Sequence, residues 1–215
     1  LTHIAVDSLL GNREGGLNDG KGDDYVLYRG IIDPRFRFVP HDLDTLLRGS
    51  PNKNIWGYTE LDGLEKFLTH PDVIPLYYSK FLELIDRAYR PEIIQPVIAR
   101  AVGGFISDNA LEGMQEFVPD RIANVLSQIP RNYSATSNLP VTAEGYHRTN
   151  SGAVRFSGDF HAAHARSVLV NSVNAQINSR EGTWRLDVDN GGGGVLNPGL
   201  NRVVIGFYSG KSGDG

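Results

Sequence analysis

Apolar positions along this chain change period three times, and the changes mark out its elements. Residues 1–10 form an apolar run with helical character, and residues 11–24 are rich in Gly, Asn and Asp, as loops are. Tyr25-Val26-Leu27-Tyr28-Arg29 and Phe36-Arg37-Phe38-Val39 are β-prone runs separated by a Gly- and Pro-containing stretch. This pattern predicts an antiparallel hairpin with a longer loop. From Thr59 the period becomes helical. Thr59-Glu60-Leu61-Asp62 predicts a capped helix start, with Leu61, Leu64, Phe67 and Leu68 as its apolar face. Pro71-Asp72 opens a second helix that buries Ile74, Tyr77, Tyr78 and Phe81. Pro91 opens a third segment, which Pro96 is expected to break or shift. Ala110 to Gln128 is the last helical stretch, and Pro119 is expected to divide it.

Residues 131–148, rich in Asn, Ser, Thr and Pro, read as a linker. After them the period is two. Strands are predicted at 154–156, 167–170, 183–188 and 202–208, with turn chemistry at Gly191–Gly194 and Asn197-Pro198-Gly199. The expected class is α+β: a β-hairpin with helices over 1–130, then a small all-β sandwich over 149–215 that is incomplete at its end.

Composition narrows the function classes. The chain has 215 residues, enough for one large domain or two small ones, with a net charge of −4. No basic stripe marks a nucleic-acid surface. The absence of cysteine excludes disulfides and thiolate metal sites. No apolar run approaches the ~18 residues of a membrane span. Leu1 to Val6 reads as the middle of an element and Gly210 to Gly215 as a loop, so the chain is expected to be a piece of a longer protein.

Candidate chemistry centres on Asp42 and Asp44. If the strand runs through them, residues two apart point to one side, and two carboxylates on one side call for a cation between them. Gly11-Asn12-Arg13-Glu14-Gly15-Gly16 and Gly20-Lys21-Gly22-Asp23-Asp24-Tyr25 add polar clusters, suggesting a magnesium and phosphate site. The competing reading is that the two aspartates end a strand and start a loop. His161 and His164, three apart, form a second candidate metal pair, read as loop histidines for want of a third ligand. Asp19, Asp23 and Asp24 lack EF-hand spacing, and the loop is taken as solvated. Asn132-Tyr133-Ser134 fits a glycosylation sequon by chance.

Gly22-Asp23-Asp24-Tyr25-Val26-Leu27-Tyr28-Arg29, followed by Phe38-Val39-Pro40-His41-Asp42-Leu43-Asp44, resembles the core of the CotH-type spore-coat protein kinase family. The segments Leu76–Leu84 and Phe117–Ile129 resemble the helices that follow in that family. The likeness covers residues 1–130. It implies an atypical kinase-like fold, ATP as co-substrate, Mg2+, and phosphoryl transfer to Ser or Thr of extracytoplasmic proteins. It makes Asp42 the metal-binding acid with Asp44 as its neighbour and Asp24 as a further ligand, where the family has Asn. It puts Asn12 on the cofactor side and Glu14 at the position of the catalytic aspartate. The family often has Trp where this chain has His41. Asp7, five residues before Asn12, matches the spacing of an ordinary kinase catalytic loop and is the alternative acid.

The nucleotide-gripping lysine would precede Leu1, so the chain alone is expected to be inactive. Val168–Asn171, Trp184 and Leu196–Ile205 resemble bacterial Ig-like modules, which implies a spacer or adhesion role and a possible cell-surface partner. Export from a bacterium follows from the same likeness. The rival function is a non-enzymatic surface protein with a degenerate kinase-like domain.

Overall fold

The structure, a computed structural model, describes residues 1–12, 24–57, 60–150, 153–189 and 195–213. The chain forms two compact units, 1–128 and 129–215. The first is mainly helical with one hairpin, the second all antiparallel strands, so the class is mixed α+β.

In the first unit, α1 (Thr2–Leu10) is followed by the hairpin β1 (Tyr25–Arg29) and β2 (Phe36–Pro40). The strands pair from Tyr25↔Pro40 to Arg29↔Phe36. Four helices follow: α2 (Asp62–Leu68), α3 (Ile74–Arg87), α4 (Pro91–Val102) and α5 (Asp108–Gln128). Thr59 lies outside the described residues, and the residue capping α2 is Leu61, without a side-chain cap bond. The core is aromatic. Tyr77, Tyr78 and Phe81 of α3 are fully buried, and Trp56 packs on Tyr77 and Tyr78 at ring distances of 5.3 and 5.5 Å. A buried tyrosine needs a partner for its hydroxyl, and Tyr77 donates to the Ile55 carbonyl at 2.9 Å. The hairpin is different. Tyr28 is 60% exposed. Only Tyr25 and Phe38 are drawn inward, stacked at 4.6 Å, with the His3 ring 4.0 Å from Phe38.

Neither internal proline breaks its helix. Pro96 sits inside α4 and Pro119 inside α5, and both helices run through. A proline removes the bond to the carbonyl four residues earlier. For Pro119 that carbonyl belongs to Gln115, and the Gln95 side chain of α4 donates to it at 3.0 Å. Gln115 returns the bond, its amide reaching the Gln95 carbonyl at 3.4 Å. The reciprocal pair replaces the lost helix bond and ties α4 to α5.

The second unit has two antiparallel sheets. One orders β3 (Thr136–Ser137), β4 (Val154–Asp159), β8 (Thr183–Val188) and β7 (Gln176–Asn178). The other orders β6 (Val173–Asn174), β5 (Ser167–Val170) and β9 (Ile205–Tyr208). Trp184 of the first sheet meets Phe207 of the second edge-on at 6.4 Å, above a core of Phe160, Val168 and Val170. Residues 131–148, expected as a linker, are part of this unit: β3 pairs with β4, and Val141 bridges His147. The strand expected from Arg202 starts at Ile205, because Asn171 interposes its side chain. Asn171 Oδ1 accepts from the Val204 amide at 2.8 Å, and its Nδ2 donates to the Val195 carbonyl at 2.9 Å. Gly191 to Gly194 lie outside the described residues.

Replacing Gln95 with Leu leaves the Gln115 carbonyl unpaired in a part-buried position. The expected loss is about 1–2 kcal/mol of first-unit stability, read by urea denaturation, and Pro119→Ala should offset much of it by restoring the helix bond.

Candidate functional site

The site grows from the end of α1. Gly11 leaves the helix in the left-handed region at φ 67°. Its amide donates to the Ser8 carbonyl, and the Asn12 amide donates to the Asp7 carbonyl at 3.0 Å, the pairing of a Schellman stop. Glycine is required here twice over, since a Cβ would stand 2.7 Å from the Phe117 ring. The turn folds Asn12 back on Asp7, and Asn12 Nδ2 donates to Asp7 Oδ1 at 3.4 Å. Both residues are 3% exposed. Asp7 Oδ2 lies 3.0 Å from His3 Nε2, one turn earlier, without hydrogen-bond alignment.

The segment after β2 returns to the same place. Thr45 Oγ1 donates to Asn12 Oδ1 at 3.3 Å, and the Leu47 amide donates to the Leu10 carbonyl at 2.7 Å. The loop carrying Asp42 and Asp44 is thereby pinned beside Asn12. Arg121, fully buried on α5, holds the assembly from behind. Its guanidinium donates to Ser8 O at 3.0 Å, Ser8 Oγ at 2.9 Å, Pro51 O at 2.9 Å and Asn124 Oδ1 at 2.8 Å, and also to the Lys53 carbonyl. A cation at the end of α1 also matches the negative pole of that helix.

The carboxylates are arranged differently from the strand-end expectation. β2 stops at Pro40, so the alternation that would align Asp42 with Asp44 does not extend to them. Asp42 is left-handed at φ 50° and Asp44 lies in the turn that follows. Both are exposed. Asp24, left-handed at φ 53°, sits across the same end of the hairpin, where its carbonyl accepts from the His41 amide at 2.8 Å. Asp24 and Asp42 thus bracket the open end of the hairpin. The far end is closed by a different acid: Asp33 is held down to about 2, chiefly by the Arg35 side chain.

Among the described residues no three His, Asp or Glu side chains stand close enough to hold a metal ion. Asp24, Asp42 and Asp44 offer the hard oxygen chemistry that Mg2+ prefers, but they do not form a closed ligand set, and no chemical step is routed through an ion here. Glu14, the expected catalytic acid, and Asp19 and Asp23 lie outside the described residues. Asp7 is an inward-facing carboxylate spent on Asn12 and His3. His161 and His164 belong to the second unit, where their rings stack.

Thr45, His3 and Arg121 were not singled out from the sequence. Arg121 did leave a signal: it falls on the same helical face as Phe117, Val118 and Val125, all buried. A charge in an apolar stripe marks a buried cation with an assigned job.

Arg121→Lys should cost the first unit about 2 kcal/mol or more, since an ammonium cannot reach the acceptors that the fork spans. Gly11→Ala should cost about 2 kcal/mol through its backbone conformation and the Phe117 contact. Thermal unfolding of each variant against the parent chain measures both.

No family model, curated protein or solved structure matches the chain.

Proposed function

We propose that residues 1–128 are part of a CotH-like atypical protein kinase that transfers the γ-phosphoryl of ATP to Ser or Thr of extracytoplasmic proteins. Residues 129–215 are, in the same reading, an Ig-like β-sandwich module of an exported bacterial protein. Phosphoryl transfer asks little covalent chemistry of the protein and depends on positioned oxygen ligands and an acid that orients the hydroxyl. One observation carries the reading: the Thr45–Asn12 hydrogen bond at 3.3 Å, which sets the segment after Asp42-Leu43-Asp44 against Asn12, two residues before Glu14 in sequence. Asp24 at the same hairpin end as Asp42 supports it.

In this reading Asn12 is a cofactor-side ligand, Asp42 the principal metal-facing acid, and Asp24 and Asp44 its neighbours. Asp7, buried and bonded to Asn12, holds that ligand in place, and the hydroxyl-orienting role goes to Glu14. The exposure of Asp42 and Asp44 favours one other reading, a non-enzymatic surface protein that keeps the kinase-like frame without its chemistry.

The test is ATP-dependent phosphotransfer by the full-length protein that carries this chain, beside its Asp42→Ala variant. The kinase reading expects activity in the parent and a loss of about 100-fold or more in the variant. Equal activity in both removes Asp42 from the mechanism, and silence in both favours the surface protein.

A further inference from the structure

His161 and His164 lie on one turn, closed by the His164 and Ala165 amides, which both donate to the His161 carbonyl at 3.0 Å. Their rings are parallel, with centroids 3.9 Å apart and an interplanar angle of 0°. His164 is exposed, whereas His161 Nδ1 is shut off from solvent and has no aligned hydrogen bond.

The same turn grips the segment that opens the second unit. The Ala162 amide donates to the Pro130 carbonyl at 3.0 Å. The Tyr133 ring lies 6.1 Å from His161 and meets Phe207 of β9 edge-on at 4.9 Å. Ser134 completes the strap: its amide donates to the Asp159 carbonyl at 3.1 Å, and its carbonyl accepts from the Trp184 indole N–H at 3.1 Å. Residues 130–135 are thus a strap tied to the histidine turn through the Pro130 carbonyl and to β4 and β8 through Ser134.

Of the groups acting on His161, its own backbone favours the charged ring through a hydrogen bond, and burial and the neighbouring cations oppose it. From its own turn it meets His164, and from the strap Arg131 and the neutral Tyr133. Tyr133 in turn packs on Phe207 of β9, an apolar ring. Among the described residues no carboxylate pairs with either imidazole; Asp159, at the end of β4, takes its hydrogen bond from Ser134 Oγ at 2.7 Å. Protons on both rings put two cations face to face at 3.9 Å, with Arg131 as a further like charge, and burial of His161 adds to the cost. Burial first, then His164 and Arg131, hold the His161 pKa below its ordinary 6.5.

We propose that the His161–His164 stack is an acid-sensitive latch, and that protonating both rings releases the 130–135 strap from the second unit. The sign follows from linkage. Well above pH 6.5 neither the folded nor the unfolded chain protonates His161, and the latch costs nothing. As pH falls below that value the unfolded or strap-open form takes up a proton that the closed form resists, so closure weakens progressively down to the lowered folded pKa.

The test uses the whole chain. NMR follows the His161 ring from pH 8 to about 4.5, together with exchange of the Ser134 amide and the Trp184 indole N–H, corrected for intrinsic chemistry. The latch predicts that His161 titrates below the ordinary imidazole value of 6.5 and that both strap probes exchange about tenfold faster, or more, at pH 5 than at pH 7.5, while the Val168 amide stays protected. His161→Gln should remove most of that acid effect, and His164→Gln part of it. A His161 that titrates at the ordinary imidazole value with unchanged strap exchange overturns the proposal. So does a His161→Gln chain that keeps the full acid effect. If that variant fails to fold, the titration and exchange of the parent chain decide alone.

Discussion

A helix leaves its last four carbonyls without intrahelical donors, and in α1 separate parts of the chain take up all of them. Asn12 and Gly11 close the Asp7 and Ser8 carbonyls from the turn itself. Arg121 adds a second donor to Ser8 from α5, the Tyr89 hydroxyl reaches Leu9 from the end of α3, and the Leu47 amide reaches Leu10 from the loop after β2. Satisfying these acceptors away from water therefore draws three distant segments to one point. The hairpin contributes little burial of its own, and a two-stranded ribbon is marginal alone. Its position is set by Leu47, Thr45 and the Tyr25–Phe38–His3 ring contacts rather than by a core of its own.

Arg121 sets the energetic stakes of this arrangement. A guanidinium removed from water is stabilised only when its donors are met, and here they are met largely by carbonyl oxygens. The cation thereby fixes the backbone of 51–53 against α1, while Gln128 reinforces the same loop through the Ile55 amide at 3.0 Å. Any chemistry at Asp42 and Asp44 depends on this scaffold, because those two side chains are exposed.

Much of the fold could be read from the chain. The apolar spacing of α1, α3 and α5 and the alternation of β4 and β8 reflect a face buried against a core, and periodicity reports burial directly. What escaped had tertiary causes. Pro119 reads as a break, yet Gln95, 24 residues earlier in sequence, supplies the missing donor. Residues 131–148 read as a linker because Asn, Ser, Thr and Pro carry no period, but Ser134 and β3 fix them through backbone bonds that composition does not encode. In the site, the spacing of Asp7 and Asn12 was visible and the two do meet. The aligned pair at Asp42 and Asp44 was not realised, because Pro40 ends the strand and Asp42 turns left-handed. Thr45 carried no signal at all, since its role is set by a loop return that only the folded chain defines.

The convergence of the Asp42–Leu47 loop on the end of α1 is the central claim, and the Leu47 amide tests it most directly. It donates at 2.7 Å to the Leu10 carbonyl at the end of α1. Site-resolved hydrogen exchange of the intact chain should find that amide protected to about the same free energy as the core amides of α5, Val118 and Val125. Exchange of the Leu47 amide at the rate of an open loop, while those core amides stay protected, would contradict the account.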